Sequence, residues 1–549
     1  MNFMTKKVLA ISLVVLMLCL SLLGCTGDSG TSSTGANNNN PGAADEPYAE
    51  TVTFTKGVIN SPGMFPAGQT YESNPFTDYV KKQLNIQTKV AWEANADIYN
   101  QKIALSIANG DMPDVLLVNR ALYAQLLNND MIADMTDAYN NYISPFLKEQ
   151  FDSYNGLPFE PVTVDGRIMG IPCPDGHAGQ NVLWIRKDWL DKLGLTVPKT
   201  FDDIVNVARA FMTKDPGGNG AGKTIGMTCN SGVYSGYSSR MGFDSMFAAM
   251  GAYPGNWILK DNKPIYGSCA PEMKPVLQIL SDLYKEGVLD KQFAIRRGDD
   301  DDALLSNGTL GMHFGVWWPA SGVTSTFQNN PDAEWIAVSA PVNSNGDMLI
   351  PENDPIKGII VVRKGYAHPE AIIKAINSQF EIIRGHGEAG AAAYAASSKD
   401  FPPWNAMPVE IDISFSDALS RIYTDFQNAL EANDSGVMKT PGYASAFESV
   451  QRYLAKPNSN WADVQSYQAR IVGTGAAVAT NVKYLPPVFF GQTKTMETHW
   501  AALSKLENET LIQIIMGEKP VSYFDTFVSQ WLSTGGQDVL NEITAYRNK

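Results

Sequence analysis

An α/β fold divided into more than one domain is predicted for this 549-residue chain, on three observations. Segments with strand-type and helix-type apolar periodicity alternate along it. About 500 residues remain after an N-terminal leader and a polar stretch, more than a single hydrophobic core ordinarily organises. The wholly apolar run Asp114–Val118 (DVLLV) reads as a strand covered on both faces, as in a parallel sheet, and Gly358–Val362 (GIIVV) again reads as a buried strand.

The leader comes first. Lys6 and Lys7 precede an apolar stretch from Val8 to Leu23, which ends in Leu22-Leu23-Gly24-Cys25. That stretch falls short of the roughly 20 residues a membrane-spanning helix needs. A charged start, an apolar middle and small residues before a cut describe an export signal. Leu22, Leu23, Gly24 and Cys25 resemble the lipobox of bacterial lipoproteins, which implies cleavage before Cys25 and a diacylglyceryl group on its sulfur. A chance cysteine in an ordinary signal peptide is the alternative. Thr26 to Glu50 is rich in Gly, Ser, Thr and Asn, too poor in apolar residues to order itself, and reads as a flexible tether. The expected location is the outer face of the cytoplasmic membrane, with the lipid as the only membrane contact.

Strand and helix then follow in turn. Thr51–Ile59 alternates as a strand with Val52 and Phe54 on one face. Asn74–Leu84 reads as a helix, Asn85–Trp92 as a strand and Asp97–Asn109 as a helix stopped by Gly110. A second unit opens near Ile171, with a strand at Val182–Ile185, a helix at Asp188–Leu193 and Gly194 as its stop. Thr200 caps the next helix with Asp203 as its capping-box partner, and Ile204, Ala208 and Phe211 form the apolar stripe. A helix follows from Pro369 to Ile383. Long helices close the chain at Trp500–Met516 and Val521–Leu532, broken by Gly517 and Gly535-Gly536.

Composition narrows the function. The hydrophobic share is 44% and the formal charge −15, which loses the two lysines of the leader on cleavage and becomes −17. Phosphate backbones need clustered Lys and Arg, so no nucleic-acid partner is expected. Of five cysteines, Cys19 leaves with the leader and Cys25 takes the lipid. Cys173, Cys229 and Cys269 are read as buried thiols, with one bridge plus a leftover as the alternative.

Gly217–Thr224 (GGNGAGKT) fits the phosphate-binding pattern GxxxxGK[ST] in full. That chemistry needs a strand before the loop and a helix after it. Here a helix precedes the loop and Thr224–Thr228 reads as a strand, which excludes nucleotide. Asp215, Gly217, Asn219 and Ala221 also fall at the alternate positions of an EF-hand-like turn. With Asp215 the sole carboxylate, a glycine-rich surface turn is preferred, and structural calcium on Asp215 and Asn219 is the alternative. No other cofactor is expected. The histidines show no metal-ligand spacing, and Asp299–Asp302 is read as capping a helix over Ala303–Ser306.

The positive signal is aromatic. Trp317-Trp318-Pro319 follows a strand (GMHF); Tyr234 and Tyr237 share a Gly/Ser-rich loop with Arg240; Trp404 lies in Phe401-Pro402-Pro403-Trp404-Asn405. Rings on such loops serve as platforms for the C–H faces of sugars, while Asn, Asp, Arg and Tyr satisfy the hydroxyls. Core packing is the competing reading for each. Trp92, Glu93 and Asn119 are added because they lie at or just past strand ends, where open α/β sheets bind ligands.

Four segments carry a resemblance: GDMPDVLLV (Gly110–Val118), WIRKDWLDKLGLTVPKTFDDI (Trp184–Ile204), KDPGGNGAGKTIGM (Lys214–Met227) and IIMGEKPVSYFDTFVSQWLSTGG (Ile514–Gly536). From about Thr51 onward the chain resembles family 1 extracellular solute-binding proteins, in the branch with LplA-like lipoproteins and alginate-oligosaccharide binders. The resemblance implies a two-lobed periplasmic-binding-protein-like fold with a hinge and an interlobe cleft. It implies lobes of residues 51–172 with 341–400 and 173–340 with 401–549, and crossings near Ile171–Cys173, Val338–Val342 and Pro402. It also implies that Trp317 or Trp318, with Trp404, lines the cleft. Relatives that bind calcium carry more acids in the loop corresponding to Asp215–Thr224. The implied function is capture of an oligosaccharide, without turnover, for the permease subunits of an ABC importer, by a monomer. A lipid-anchored glycoside hydrolase or lyase, or a binder of a peptide or other non-sugar solute, is the alternative.

Overall fold

A computed structural model of the chain describes residues 45–60, 65, 67–95, 98–176, 181–236, 241–296, 298–319, 321–352, 354–383, 406–439, 443–486 and 488–547. The architecture is α/β and two-lobed, each lobe built on one sheet.

The first sheet opens with β1 (Val52–Ile59), followed by α1 (Pro75–Leu84), β2 (Ile86–Ala94), α2 (Tyr99–Asn109), β3 (Val115–Val118) and α3 (Arg120–Asn128). Val52 and Phe54 face the core as the alternation predicts, but Lys56, Gly57 and Val58 are all buried. A register shift between Lys56 and Gly57 explains this, since a bulge re-aims the side chains that follow it. Asn74 caps α1 by accepting the N–H groups of Phe76 and Thr77, and Gly110 ends α2 in the left-handed conformation. β4 (Ile171–Pro174) then completes the near edge.

The chain next enters the second sheet through β5 (Val182–Arg186), α4 (Lys187–Leu193), α5 (Phe201–Lys214) and β6 (Ile225–Met227). Gly194 stops α4 at φ 65°. The capping box at α5 is formed as read: the Thr200 hydroxyl accepts Asp203 N–H at 3.2 Å, and Asp203 accepts Thr200 N–H at 2.9 Å. Ile204, Ala208 and Phe211 are fully buried. Then come α6 (Met273–Glu286), α7 (Gly298–Ser306), β7 (Leu310–Gly315) and β8 (Trp335–Val338). The acidic run Asp299–Asp302 lies inside α7, not ahead of it. Gly298 starts the helix early enough to put those charges in its first turns, where the dipole still favours them. The sheet order is β8-β5-β7-β6, with β7 parallel to β6 and antiparallel to β5.

The return passes through β9 (Met348–Pro351) to β10 (Ile356–Val362), and the first sheet closes in the order β2-β1-β3-β10-β4. The run GIIVV is the buried strand expected, yet it lies antiparallel to β3. Cover on both faces produces such a run whatever the strand direction. α8 (Pro369–Ile383) packs behind it.

The last crossing falls later than Pro402. Val409, Ile411 and Ile413 pack with Ile376 and Phe380 in the first lobe's core, while Leu419 and Ile422 join a core of the second. Beyond it, β11 (Val482–Leu485) pairs with β9, and α9 (Lys494–Met516), α10 (Tyr523–Trp531) and α11 (Gln537–Arg547) cover the second core. Gly517 ends α9. Gly535-Gly536 break the next helix as read: Gly535, at φ 122°, is non-helical and separates α10 from α11. Among the described residues no helix is long and apolar enough to cross a membrane.

Candidate functional site

The first crossing links two strand-end edges. β4 ends at Pro174, which pairs with Ile356 beside the carboxyl end of β3. β5 starts at Val182, which pairs with Gly315 at the carboxyl end of β7. Residues 175–181 join them and reach at most about 25–28 Å when extended. The carboxyl ends of β3 and β7 are thus linked in the chain by this crossing, and open α/β sheets place ligands at such strand ends.

On the first-lobe side, Asn119 caps α3, its Oδ1 accepting Leu122 N–H at 2.9 Å. Arg120 follows, and its Nε and Nη2 donate to Asp354 at 2.7 and 2.8 Å. Asp354 also accepts the N–H of Ile356 at 2.9 Å. The ion pair thus ties the end of β3 to the start of β10. It is part of a pocket of about 130 Å³, whose walls include Leu157, Glu160 and Pro161 from the first lobe and Phe489, Phe490 and Tyr546 from the second. Phe489 and Tyr546 meet edge to face at 5.4 Å, and Tyr546 is half exposed. Such a site offers carboxylates to accept from hydroxyls, the remaining guanidinium N–H groups to donate, and rings for apolar faces.

At the end of β7, the indole N–H of Trp184 donates to the Val316 carbonyl at 3.0 Å and fixes the turn. Trp317 is buried and Trp318 is 44% exposed. Their rings meet at 5.2 Å and 85°. The Arg470 guanidinium lies 5.2 Å from the Trp317 ring and 4.6 Å from that of Tyr443. Gly473 permits this packing, since a Cβ there would sit 1.7 Å from the Trp317 carbonyl oxygen. Trp317 is a brace, and Trp318 presents an exposed ring.

The remaining predicted residues divide. Trp92 lies across Gly57, where a Cβ would come within 2.4 Å of its ring, and it tilts against Tyr99 at 5.5 Å. Half-buried, it is first-lobe packing with one open edge; Glu93 is exposed beside it. The hydroxyl of Tyr234 does not face solvent. It donates to Glu507 at 2.6 Å, Tyr266 donates to the same carboxyl at 2.9 Å, and burial raises the proton affinity of Glu507. Gly255 leaves room for the Tyr234 ring to turn inward. Asp215 and Asn219 sit in one hydrogen-bonded turn. Tyr237, Arg240, Trp404 and Cys25 lie outside the described residues.

Sequence reading passed over Arg120, Asp354, Phe489, Phe490 and Tyr546. Phe489-Phe490 follow Pro486-Pro487 and precede Gly491, the same aromatic-on-Pro/Gly-loop signal that singles out Trp404. The Arg120–Asp354 pair spans 234 positions and leaves no local signal.

Residues 66–378 match the model of the bacterial extracellular solute-binding protein family. The chain is 21% identical over 472 residues to the polygalacturonan/rhamnogalacturonan-binding protein YtcQ of Bacillus subtilis, covering 84% of this chain and 86% of that one. It is 27% identical over 312 residues to the fructooligosaccharide ABC transporter substrate-binding protein FusA of Streptococcus pneumoniae, a match that spans only 53% of each chain. Among solved structures, an EF-hand mutant of FusA in complex with fructo-nystose superposes at TM-score 0.63 with 18% identity, over 90% of this chain and 99% of that one. The alginate-binding protein AlgQ2 without calcium ion superposes at 0.61 with 16% identity, over 92% and 100%. At these identities the structural likeness establishes the fold.

Proposed function

The chain belongs to the bacterial extracellular solute-binding proteins, and from that premise we propose that it is a lipid-anchored receptor that captures an oligosaccharide between its lobes for an ABC importer. The carrying observation is the pocket walled by both lobes, with Arg120 and Asp354 on one side and Phe489, Phe490 and Tyr546 on the other. A solute held there touches both halves, so it favours the closed arrangement over the open one by its differential contacts. The exposed indole of Trp318, just past the end of β7, is offered as a second stacking surface.

The sugar class draws support from the names of the relatives, one a polygalacturonan/rhamnogalacturonan-binding protein and one a fructooligosaccharide substrate-binding protein. The lipid on Cys25 draws support from the lipobox, and the permease partner from FusA. The family and its neighbours are binding proteins. Retaining or inverting hydrolysis needs two carboxylates free to act on the sugar bond, whereas Asp354 in this pocket is engaged by Arg120 through two hydrogen bonds. The engagement of Asp354 supports binding without turnover.

The test is a panel of pectic, fructo- and other neutral oligosaccharides on the mature protein, read by melting temperature, tryptophan fluorescence and chromatography of the sugar. One member of the panel should raise the melting temperature and shift the fluorescence while remaining intact. Appearance of shorter sugars would replace this reading with an enzymatic one.

A further inference from the structure

We propose that the turn at Asp215–Thr224 is a metal-independent counterpart of a calcium turn, held shut by the ammonium group of Lys192 and by hydrogen bonds to Asp215. The inference concerns the second lobe's scaffold and stands whatever the ligand proves to be.

The spacing of a calcium loop asks for oxygen-bearing groups at its first, third, fifth and ninth positions and a bidentate acid at the twelfth. Counted from Asp215, those positions hold Asp215, Gly217, Asn219, Lys223 and Gly226. Two of them cannot carry a side chain at all. A Cβ on Gly217 would lie 2.6 Å from the ring of Trp189, and one on Gly226 would lie 2.4 Å from the Ala208 carbonyl oxygen, because α5 rests directly on β6 there. The acid that closes a calcium loop is therefore excluded by packing.

The one carboxylate is already engaged. Oδ1 of Asp215 accepts the Asn219 N–H at 3.0 Å and the Thr224 hydroxyl at 2.5 Å, and Oδ2 accepts the Gly220 N–H at 2.8 Å. The hydrogen bond from Thr224 is the main reason this carboxyl stays ionised below the usual carboxylate range, and the positive charge of Lys192 adds to it. Asn219 turns its amide N–H groups inward, to Thr224 Oγ1 at 2.9 Å and the Gly308 carbonyl at 3.2 Å. A cation is still needed to draw a loop carbonyl inward, and α4 provides one: Nζ of Lys192 donates to the Pro216 carbonyl at 2.5 Å. Among the described residues no group of three or more His, Cys, Asp or Glu is placed to hold a metal. The donor set does not fit calcium, and a tethered ammonium takes its place.

The experiment uses the mature wild-type chain and Lys192→Gln, melted with excess EDTA and with millimolar CaCl2, alongside terbium luminescence sensitised by Trp189. Wild type should melt within about 1 °C in the two buffers and give no saturable terbium signal. Lys192→Gln should melt lower by about 2 °C or more in both, by the usual scaling for a lost charge-assisted bond. A calcium-dependent rise of several degrees, with saturable terbium binding, would overturn the proposal. An unchanged melting temperature for Lys192→Gln would remove the ammonium's role. If that variant fails to fold, the wild-type comparison alone decides for or against the metal.

Discussion

Against the second sheet, Glu507 of α9 lies fully buried with each carboxyl oxygen accepting a tyrosine hydroxyl, one from Tyr234 and one from Tyr266. Against the first sheet, the buried Lys56 sends its ammonium to the Met407 carbonyl at 2.6 Å, not to the acid nearby. That acid, half-buried Glu410, leaves Oε1 without a hydrogen-bond partner, and the indole N–H of Trp92 is likewise unpaired. Burial lifts the Glu410 carboxyl to about 7, against the pull of Lys56, and burial also lowers the affinity of Lys56 for its proton. The second lobe therefore treats its buried acid as a structural peg. In the first lobe Glu410, just before the chain's last crossing at residues 414–418, keeps one carboxyl oxygen without a hydrogen-bond partner.

The largest effect should come from removing the peg. Glu507→Leu strands two buried hydroxyls and should cost about 3 kcal/mol or more of unfolding free energy in urea, with Glu507→Gln recovering part of it. Near-equal stability of wild type and Glu507→Leu would break the contrast at its stronger end.

Next is the pH response of the other carboxyl. The folded value of Glu410 is raised from 4.5 to about 7. Its contribution is therefore fully present below 4.5 and is lost as pH rises through 7. Wild type should lose on the order of 1–2 kcal/mol between pH 5 and pH 8 from this group, allowing for its partial exposure. Glu410→Gln should flatten that slope in parallel urea titrations. A slope equal to wild type would show that folding does not raise the proton affinity of Glu410, and would break the contrast at its weaker end.

Just past the end of β7, Trp318→Ala should weaken oligosaccharide binding about tenfold by calorimetry while leaving the melting temperature within error. Trp317→Ala should lower the melting temperature as well, because that ring is packed. The smallest effect belongs to Asn119. As a helix cap, Asn119→Ala should cost about 1 kcal/mol of stability and leave affinity unchanged; a fall in affinity would return it to the ligand.

Much of the fold was legible locally. The capping box at Thr200 and Asp203, the stop at Gly194 and the runs DVLLV and GIIVV mark their elements through interactions within a few residues, which a linear sequence records. The direction of β10 was not legible, because cover on both faces produces the same apolar run in either orientation. Of the site, the sequence singled out Trp318 as an aromatic on a loop after a strand, and it carried the same signal at Phe489-Phe490. Tyr234 shows where that signal misleads: a Gly/Ser-rich loop does not say whether its ring turns outward or toward Glu507, 273 positions away.

Taken alone, then, the amino-acid sequence determined the alternation of elements and the family, since periodicity, caps and composition act over short spans. Tertiary structure alone decided which strand ends the crossing links, that Arg120 meets Asp354, and that Phe489 and Tyr546 face them. Those adjacencies follow from sheet order and from where the chain crosses between lobes, and packing across hundreds of residues sets both.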